Sequence, residues 1–238
     1  MGNLVSVIVP SYKGLDNLKK CSLRSILSQT HSNLEIFIVN DGIDNEVRKF
    51  LEALKDPRIQ YFEFNRPNYR DQKETWCVGG ARNRNICLSL ATGEFIAPLD
   101  QDEVWSYDFL EKKLDFFKNN INIDFVYSKC INMSGVNLCN TIGAAITPEV
   151  KERYLKKDFY NVIPHLAVMY RSKLKEMRYP ELGHSPADYI LWRSMVKKGV
   201  PMSFLDRVDS IHLSKGANMS KLGELYFKIF NKEFREEL

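Results

Sequence analysis

A chain of 238 residues with 44% hydrophobic and 27% charged side chains can bury a sizeable core and reads as globular. Its net charge of +4 suits an anionic ligand or surface but is too small to argue for nucleic acid as a partner. The five cysteines, Cys21, Cys77, Cys87, Cys130 and Cys139, show no paired ligand spacing and read as reduced thiols of a cytosolic protein, mostly core fillers, not as a disulfide frame or zinc site.

Met1-Gly-Asn-Leu-Val5 carries no basic-then-apolar leader, and Ser6 lies inside a strand pattern, which discounts Gly2 as a lipidation start. No apolar run approaches the roughly eighteen residues that span a bilayer. The expectation is a cytoplasmic protein, peripheral at most to the inner face of the membrane.

Leu4-Val-Ser-Val-Ile-Val9 is a β-branched run closed by Pro10, the pattern of a strand buried on both faces. Asp16 is placed to cap a helix carrying Leu23, Ile26 and Leu27. Glu35 to Val39 is a second buried strand, ending at Asn40-Asp41-Gly42. Asp44 caps a helix whose Val47, Phe50, Leu51 and Leu54 form one stripe. Ile59 to Phe64 is the third strand. A polar loop from Asn65 to Lys73 leads to a helix from Gly79 to Leu90, and Phe95 begins a fourth strand. Alternating strands and helices with short turns predict an open, mostly parallel sheet flanked by helices. Ligands in such sheets bind beyond the carboxyl ends of the strands, where Pro10, Tyr12, Asp41 and Asp100-Gln101-Asp102 all fall.

The second half is less regular. A helix from Tyr107 to Asn119 precedes a strand at Ile123 to Ser128, and residues 130–147 read as a loop or short hairpin. A helix from Pro186 to Lys198 and two short strands, Met202 to Leu205 and Val208 to Leu213, follow. Leu222, Leu225, Tyr226, Ile229, Phe230 and Phe234 recur at helical spacing; that face can pack on the core, pair with a second copy as a homodimer, or lie on a membrane.

Asp100 and Asp102 stand two residues apart, so in an extended segment their carboxylates face one side. Held together they repel, which favours a divalent cation between them or a proton on one. A hard cation such as Mn²⁺ or Mg²⁺ takes carboxylate and phosphate oxygens. A solvated acidic turn is the plain alternative.

Taken together, Val7-Ile-Val-Pro-Ser-Tyr12, Glu35-Ile-Phe-Ile-Val-Asn-Asp-Gly42, Gly79-Gly-Ala-Arg-Asn-Arg-Asn85, Ala91-Thr-Gly-Glu-Phe-Ile96 and Leu99-Asp-Gln-Asp102 resemble the family 2 glycosyltransferases of the GT-A fold. The resemblance is strong over about residues 4–120 and holds in outline over 160–220. It implies a nucleotide-sugar site made by Pro10, Tyr12, Asp41, Arg82, Asp100, Gln101 and Asp102. Tyr12 would lie near the base, Asp41 would accept from a uracil-like imino group, and Arg82 would lie near the nucleotide. It implies a metal held by Asp102 and Asp100, with His212 nearby, and a general base at Asp188. Two departures stand out: Glu103 replaces a frequent Asp, and Ala187 stands where a Glu is common. Ser185-x-x-Asp188 with Pro186 also reads as a capping box, which would leave Asp188 a helix cap. Lys215 reads as exposed, Trp76 and Trp105 as sugar-stacking faces or core, and His165 and His184 as acceptor contacts.

The expected protein is thus one α/β domain over residues 1–238: a nucleotide-sugar half to about 120, a smaller acceptor half to about 220, and a C-terminal amphipathic helix. By resemblance it is a metal-dependent inverting glycosyltransferase using Mn²⁺ or Mg²⁺. It would move a sugar from a nucleotide diphosphate donor, uridine-linked, to a hydroxyl of a glycan or lipid-linked acceptor in surface polysaccharide synthesis. Ala187 and Glu103 leave open a non-catalytic nucleotide-sugar binding module. A nucleotidyltransferase ranks lower, because Pro10 to Gly14 offers a single glycine where a Gly-rich phosphate loop is expected.

Overall fold

In a computed structural model of the chain, which describes residues 3–134, 137–156, 161–214 and 222–233, the β-branched run near the start becomes the central strand β1 (Val5–Ser11), buried along its whole length. Strand β2 (Leu34–Asp41) lies on one side of it, with β3 (Ile59–Phe64) beyond, and β4 (Phe95–Pro98) lies on the other; all four run parallel. Alternate side chains serve two separate cores. Ile8, Phe37, Val39 and Ile96 pack with Cys87 and Leu88 on one face, while Val5, Val7, Ile36 and Ile38 pack with Leu23, Ile26 and Val47 on the other. Because both faces are apolar, a one-residue slip would still bury hydrophobic groups but would swap the residues at every strand end. The register that holds, Ser11 beside Asn40 and Asp41 beside Phe64, sets those ends level.

The sheet then changes direction. Strand β8 (Val168–Arg171) enters antiparallel to β4 and joins it to β6 (Phe125–Ser134). Strand β9 (Met202–Leu213) follows parallel to β6, and β5 (Glu103–Trp105) closes the edge, giving the order β3-β2-β1-β4-β8-β6-β9-β5. Of the loop and the hairpin, the hairpin alternative holds: β7 (Asn137–Ile142) pairs antiparallel with β6. The two short strands expected near the C-terminus are one long strand. Its register shifts against Ser128–Cys130, so the polar Asp206-Arg207 stretch that read as a break is a bulge.

Among the helices, Asp44 caps α3 (Asn45–Leu54) by accepting from the Glu46 and Val47 amides. Asp16 does not cap. The first helical segment starts one residue earlier, at Leu15, and runs as α1 (Leu15–Asn17), a π-helical turn over Leu18–Ser22, and α2 (Leu23–Leu27). Its N-cap is Gly14, because a Cβ there would stand 2.5 Å from the Gln101 amide nitrogen. The region before the arginine-bearing helix holds an extra helix, α4 (Gln72–Val78), capped by Asp71, so α5 begins at Ala81 and runs to Leu90. Helix α6 (Phe109–Asn119) and α7 (Pro148–Leu155) precede α8 (Ala187–Lys197). The capping box expected at α8 does not form: Pro186 is the N-cap and no side chain caps the helix. In α9 (Leu222–Phe230), Leu222 and Tyr226 pack against Val104, Met133 and Ile211, while Phe227 stays exposed.

Four of the cysteines are buried and all five are free thiols, as core fillers should be. Beneath the β6–β9 layer lies a buried ion pair: Lys113 Nζ donates to Asp209 Oδ2 and to Ser128 Oγ, both at 2.7 Å. Among the described residues no helix is long and apolar enough to cross a membrane.

Candidate active site

The carboxyl ends of β1, β2 and β4 open onto a cleft of about 230 Å³ lined by Pro10, Ser11, Tyr12, Asp41, Arg66, Arg84 and the Asp100–Asp102 turn, with Thr75, Gly79 and Gly80 across from them. Its base approaches closely because Gly80, at φ +79°, begins α5 without a side chain; a Cβ there would press to 3.2 Å from Pro10. Helix α5 can therefore seat against the end of β1 and project its next turn into the cleft.

Gln101 lines the cleft and is tied by its amide to the β1 loop. Its Oε1 accepts from Ser11 Oγ at 2.8 Å and from the Tyr12 amide at 3.0 Å, while its Nε2 donates to the Tyr12 carbonyl at 2.9 Å. It braces the β1 loop against the acidic turn. Tyr12 is held from its other side by Arg66, whose guanidinium lies 3.7 Å from the ring centroid. Asp41 is buried with Oδ1 unpartnered. Burial raises its pKa against the opposing pull of Asn83, Arg66 and Arg82.

Of the two arginines in Ala81-Arg-Asn-Arg-Asn85, Arg82 stands outside the cleft lining. Its Nη1 donates to the Asn65 carbonyl at 2.9 Å, and its charge acts through space on Asp41. Arg84 is the one inside. Its Nη2 donates to both oxygens of Asp100, at 2.6 and 2.7 Å, and the side chain is only 10% exposed. Burial alone would raise the Asp100 pKa, but the Arg84 guanidinium holds it below the usual carboxylate range.

Asp100 is thereby kept charged beside two further carboxylates. Burial and the Asp100 charge raise the pKa of Asp102. Glu103, buried at the start of β5, accepts the Asp100 amide at 3.2 Å and pairs with His212 Nδ1 at 3.0 Å. Burial, with Asp100 and Asp102 adding to it, pushes Glu103 up to about 7, while Glu103 in turn raises His212. His212 reaches the cluster through Glu103, which is possible because β5 pairs with β9 and sets the two residues side by side. Asp100, Glu103 and His165 each offer a ligand atom, all within 4.8 Å of one another.

Asp188, in the first turn of α8, is half-buried near the same group of charges. Burial raises its pKa, Arg84 lowers it and Asp100 raises it, so both act on it through space. Asn161 donates from Nδ2 to Asp188 Oδ2 at 3.1 Å, and its own Oδ1 accepts from the Ile163 amide and the Tyr154 hydroxyl, which fixes the amide's orientation. Glu74, fully buried in α4, accepts from Arg70 and from the Gly183 amide at 3.0 Å, tying α4 to the loop before α8.

The other candidates disperse. Trp105 is core, stacked on Phe109 with its indole N–H given to the Leu166 carbonyl, whereas Trp76 is 75% exposed on α4. His184 pairs with Asp71 at 3.0 Å. Lys215 and Phe234 lie outside the described residues. Arg84, Arg66 and Asn161 are the residues that sequence reasoning passed over. The motif containing Arg84 was visible, but not which of its two arginines turns inward.

The model of the family described as "Glycosyl transferase family 2" matches residues 6–178, which contain β2 to β8 and all of β1 but its first residue. The chain belongs to glycosyl transferase family 2. Among similar curated members, a UDP-Glc:α-D-GlcNAc-diphosphoundecaprenol β-1,3-glucosyltransferase of Escherichia coli, WfaP, is 25% identical, with 91% of this chain and 80% of that protein covered. A putative teichuronic acid biosynthesis glycosyltransferase of Bacillus subtilis, TuaG, is 31% identical over 82% of this chain and 73% of its own. Among solved structures, TarS of Staphylococcus aureus in complex with UDP superposes with a TM-score of 0.67 at 18% identity, over 90% of this chain and 61% of that one. A mannosyltransferase of Pyrobaculum calidifontis with GDP-Man and Mn²⁺ gives 0.61 at 17% identity, over 90% of this chain and 57% of that one. The GT-A architecture expected for this glycosyltransferase is the one it has. As an enzyme of this family it is neither a nucleotidyltransferase nor a bare binding module.

Proposed function

We propose that the protein transfers a glycosyl unit from a uridine diphosphate sugar to a hydroxyl of a lipid-linked acceptor, with inversion at the anomeric carbon and with a divalent cation on the diphosphate. The observation that carries this reading is the position of Asp188: one carboxylate, set by Asn161, within the field of the same Arg84–Asp100 pair that forms the cleft floor. A candidate base in the field of a carboxylate cluster able to seat a cation is the arrangement a single displacement needs.

In this reading Tyr12 and Asp41 take the base, Asp41 using its unpartnered oxygen to accept an imino proton. The donor set fits a hard divalent ion, because the clustered carboxylates of Asp100, Asp102 and Glu103 repel one another and burial works against their charges. Asp100, Asp102 and Glu103 would hold the ion, whose chemistry when bound is to neutralise charge on the leaving diphosphate. Asp188 takes the acceptor's hydroxyl proton as the oxygen attacks the anomeric carbon and the diphosphate departs. Its burial makes it a stronger base than a solvated carboxylate. The named activities of WfaP, with a UDP-Glc donor and a diphosphoundecaprenol-linked acceptor, and the UDP bound to TarS support the donor and acceptor classes. Such an acceptor brings the enzyme to a membrane surface as a peripheral visitor.

The test is incubation with Mn²⁺, a panel of UDP- and GDP-sugars and a short-chain lipid-diphosphate sugar as acceptor, following product by mass. A product from one UDP-sugar, lost on chelation and in Asp188→Asn, is the expected result. Undiminished turnover in Asp188→Asn would remove the base assignment.

A further inference from the structure

His165 opens the short 3₁₀ turn His165–Ala167 that leads into β8, and its side chain is only 10% exposed. Trp192 lies nearly parallel to it with centroids 5.9 Å apart, and Tyr179 meets it edge-on at 5.7 Å, so the ring has little freedom to turn. Its Nε2 stands 3.2 Å from the Tyr179 hydroxyl. Its Nδ1 is buried, has no hydrogen-bond partner, and faces Asp100 Oδ1 at 3.9 Å. That separation is too long for a hydrogen bond. It is the spacing of two atoms sharing one ion, since ligands each about 2.1 Å from a cation stand roughly 3–4 Å apart.

We propose that His165 Nδ1 is a ligand of the divalent cation held by Asp100 and Glu103, and that this nitrogen makes the site prefer Mn²⁺ to Mg²⁺. The inference rests on the metal-dependent reading above and adds a residue from outside the acidic turn. A ring placed only for packing would have no reason to point an unsatisfied nitrogen into a cluster of carboxylates. Arg84 does not compete for the position: it takes Asp100 through Nη2 alone, and a carboxylate offers about four lone-pair directions. With Nδ1 on the ion, Nε2–H donates to Tyr179, the outer-shell partner that a ligating histidine needs. Imidazole nitrogen serves Mn²⁺ better than Mg²⁺, which keeps to oxygen ligands and water, and this difference supplies the selectivity.

The experiment uses the full chain with UDP and Mn²⁺, read by electron spin-echo modulation for coupling from an imidazole nitrogen. His212 is the rival source, so His212→Gln and His165→Phe are compared with the wild type; Phe keeps the packing on Trp192. Coupling that persists in His212→Gln and vanishes in His165→Phe is the expected result. Mn²⁺ affinity should then fall at least tenfold in His165→Phe, while Mg²⁺, measured by competition, changes less than threefold. Coupling lost in His212→Gln overturns the proposal, as does bound Mn²⁺ without any nitrogen coupling in the wild type. If His165→Phe does not fold, the His212→Gln spectrum decides alone, because His31 and His184 are engaged elsewhere by the Asn3 carbonyl and Asp71. Failure of the wild type to bind Mn²⁺ or Mg²⁺ at all would instead remove the metal-dependent reading.

Discussion

A single nitrogen of Arg84 serves both oxygens of Asp100, at 2.6 and 2.7 Å, and this pair forms the floor of the cleft. Arg84→Met would leave the half-buried Asp100 without its main counter-charge, at a cost on the order of 1–2 kcal/mol after solvent screening. Arg84→Lys should rescue little, since a point charge cannot reproduce the guanidinium's shape. The pH profile of stability carries the signature. Asp100 has a depressed folded pKa, so its contribution is complete above the ordinary carboxylate value of about 3.9 and drains away as pH falls through the lower folded value. Urea melts between pH 2 and 6 should show that acid-side loss in the wild type and a flatter profile in Arg84→Met. Equal slopes would mean that the pair does not set the Asp100 charge.

Asp188 and Asn161 define a second expectation. The acid limb of kcat/KM should titrate above the ordinary carboxylate range, because burial raises Asp188. Removing the Asn161 hydrogen bond, which favours the charged form, should move that limb to still higher pH in Asn161→Ala. Asp188→Asn should cost about 10²–10⁴ in turnover. UDP affinity by calorimetry should hold within about twofold in both; a large loss there would make the pair part of nucleotide binding.

Gln101 offers a brace to remove. Gln101→Leu deletes three hydrogen bonds to Ser11 and Tyr12, each worth about 1 kcal/mol net. Loosening of the Tyr12 loop should weaken UDP binding by roughly tenfold if about half of that energy is felt at the site. An unchanged Kd would show that the loop is held by the Arg66 contact alone.

The Lys113–Asp209 pair makes a claim about stability alone. Both side chains are fully buried, so Lys113→Met should destabilise by about 3–5 kcal/mol by stranding Asp209. The double change Lys113→Met with Asp209→Leu should cost clearly less. Denaturant midpoints with unchanged slopes would measure both; additive losses would mean that the two do not form a functional pair.

Much of this was legible in the amino-acid order. Asp41, Pro10, Tyr12 and Asp100-Gln101-Asp102 announced themselves by ending β-branched runs, because strands that are apolar on both faces leave polar groups only at their ends. What stayed hidden depends on packing. Arg82 and Arg84 sit about 200° apart around α5, and nothing local says which side meets β1; the seating of Gly80 against Pro10 decides it. Asn161 and His165 lie in a stretch with no periodicity, so only the tertiary structure shows that they meet Asp188 and Asp100. Gln101 reads as a ligand contact by position, and only the fold shows that its amide also pairs with the Tyr12 backbone. Strand β5 is three residues long and is recognised only through its pairing with β9.

Strand β8 joins the two halves of the sheet from the middle, pairing Phe95 with Arg171 and Phe125 with Tyr170. Its partners are both made earlier on the chain, and β8 must find the slot between them after a long excursion. His165 immediately precedes it, and Asp188 follows it into α8. The parallel half can therefore collapse on local crossovers while the site is still incomplete, since non-local strand pairing is the slow part of folding. In refolding, helical and sheet signals should recover first and catalytic competence last, on the clock of a four-residue strand reaching its place.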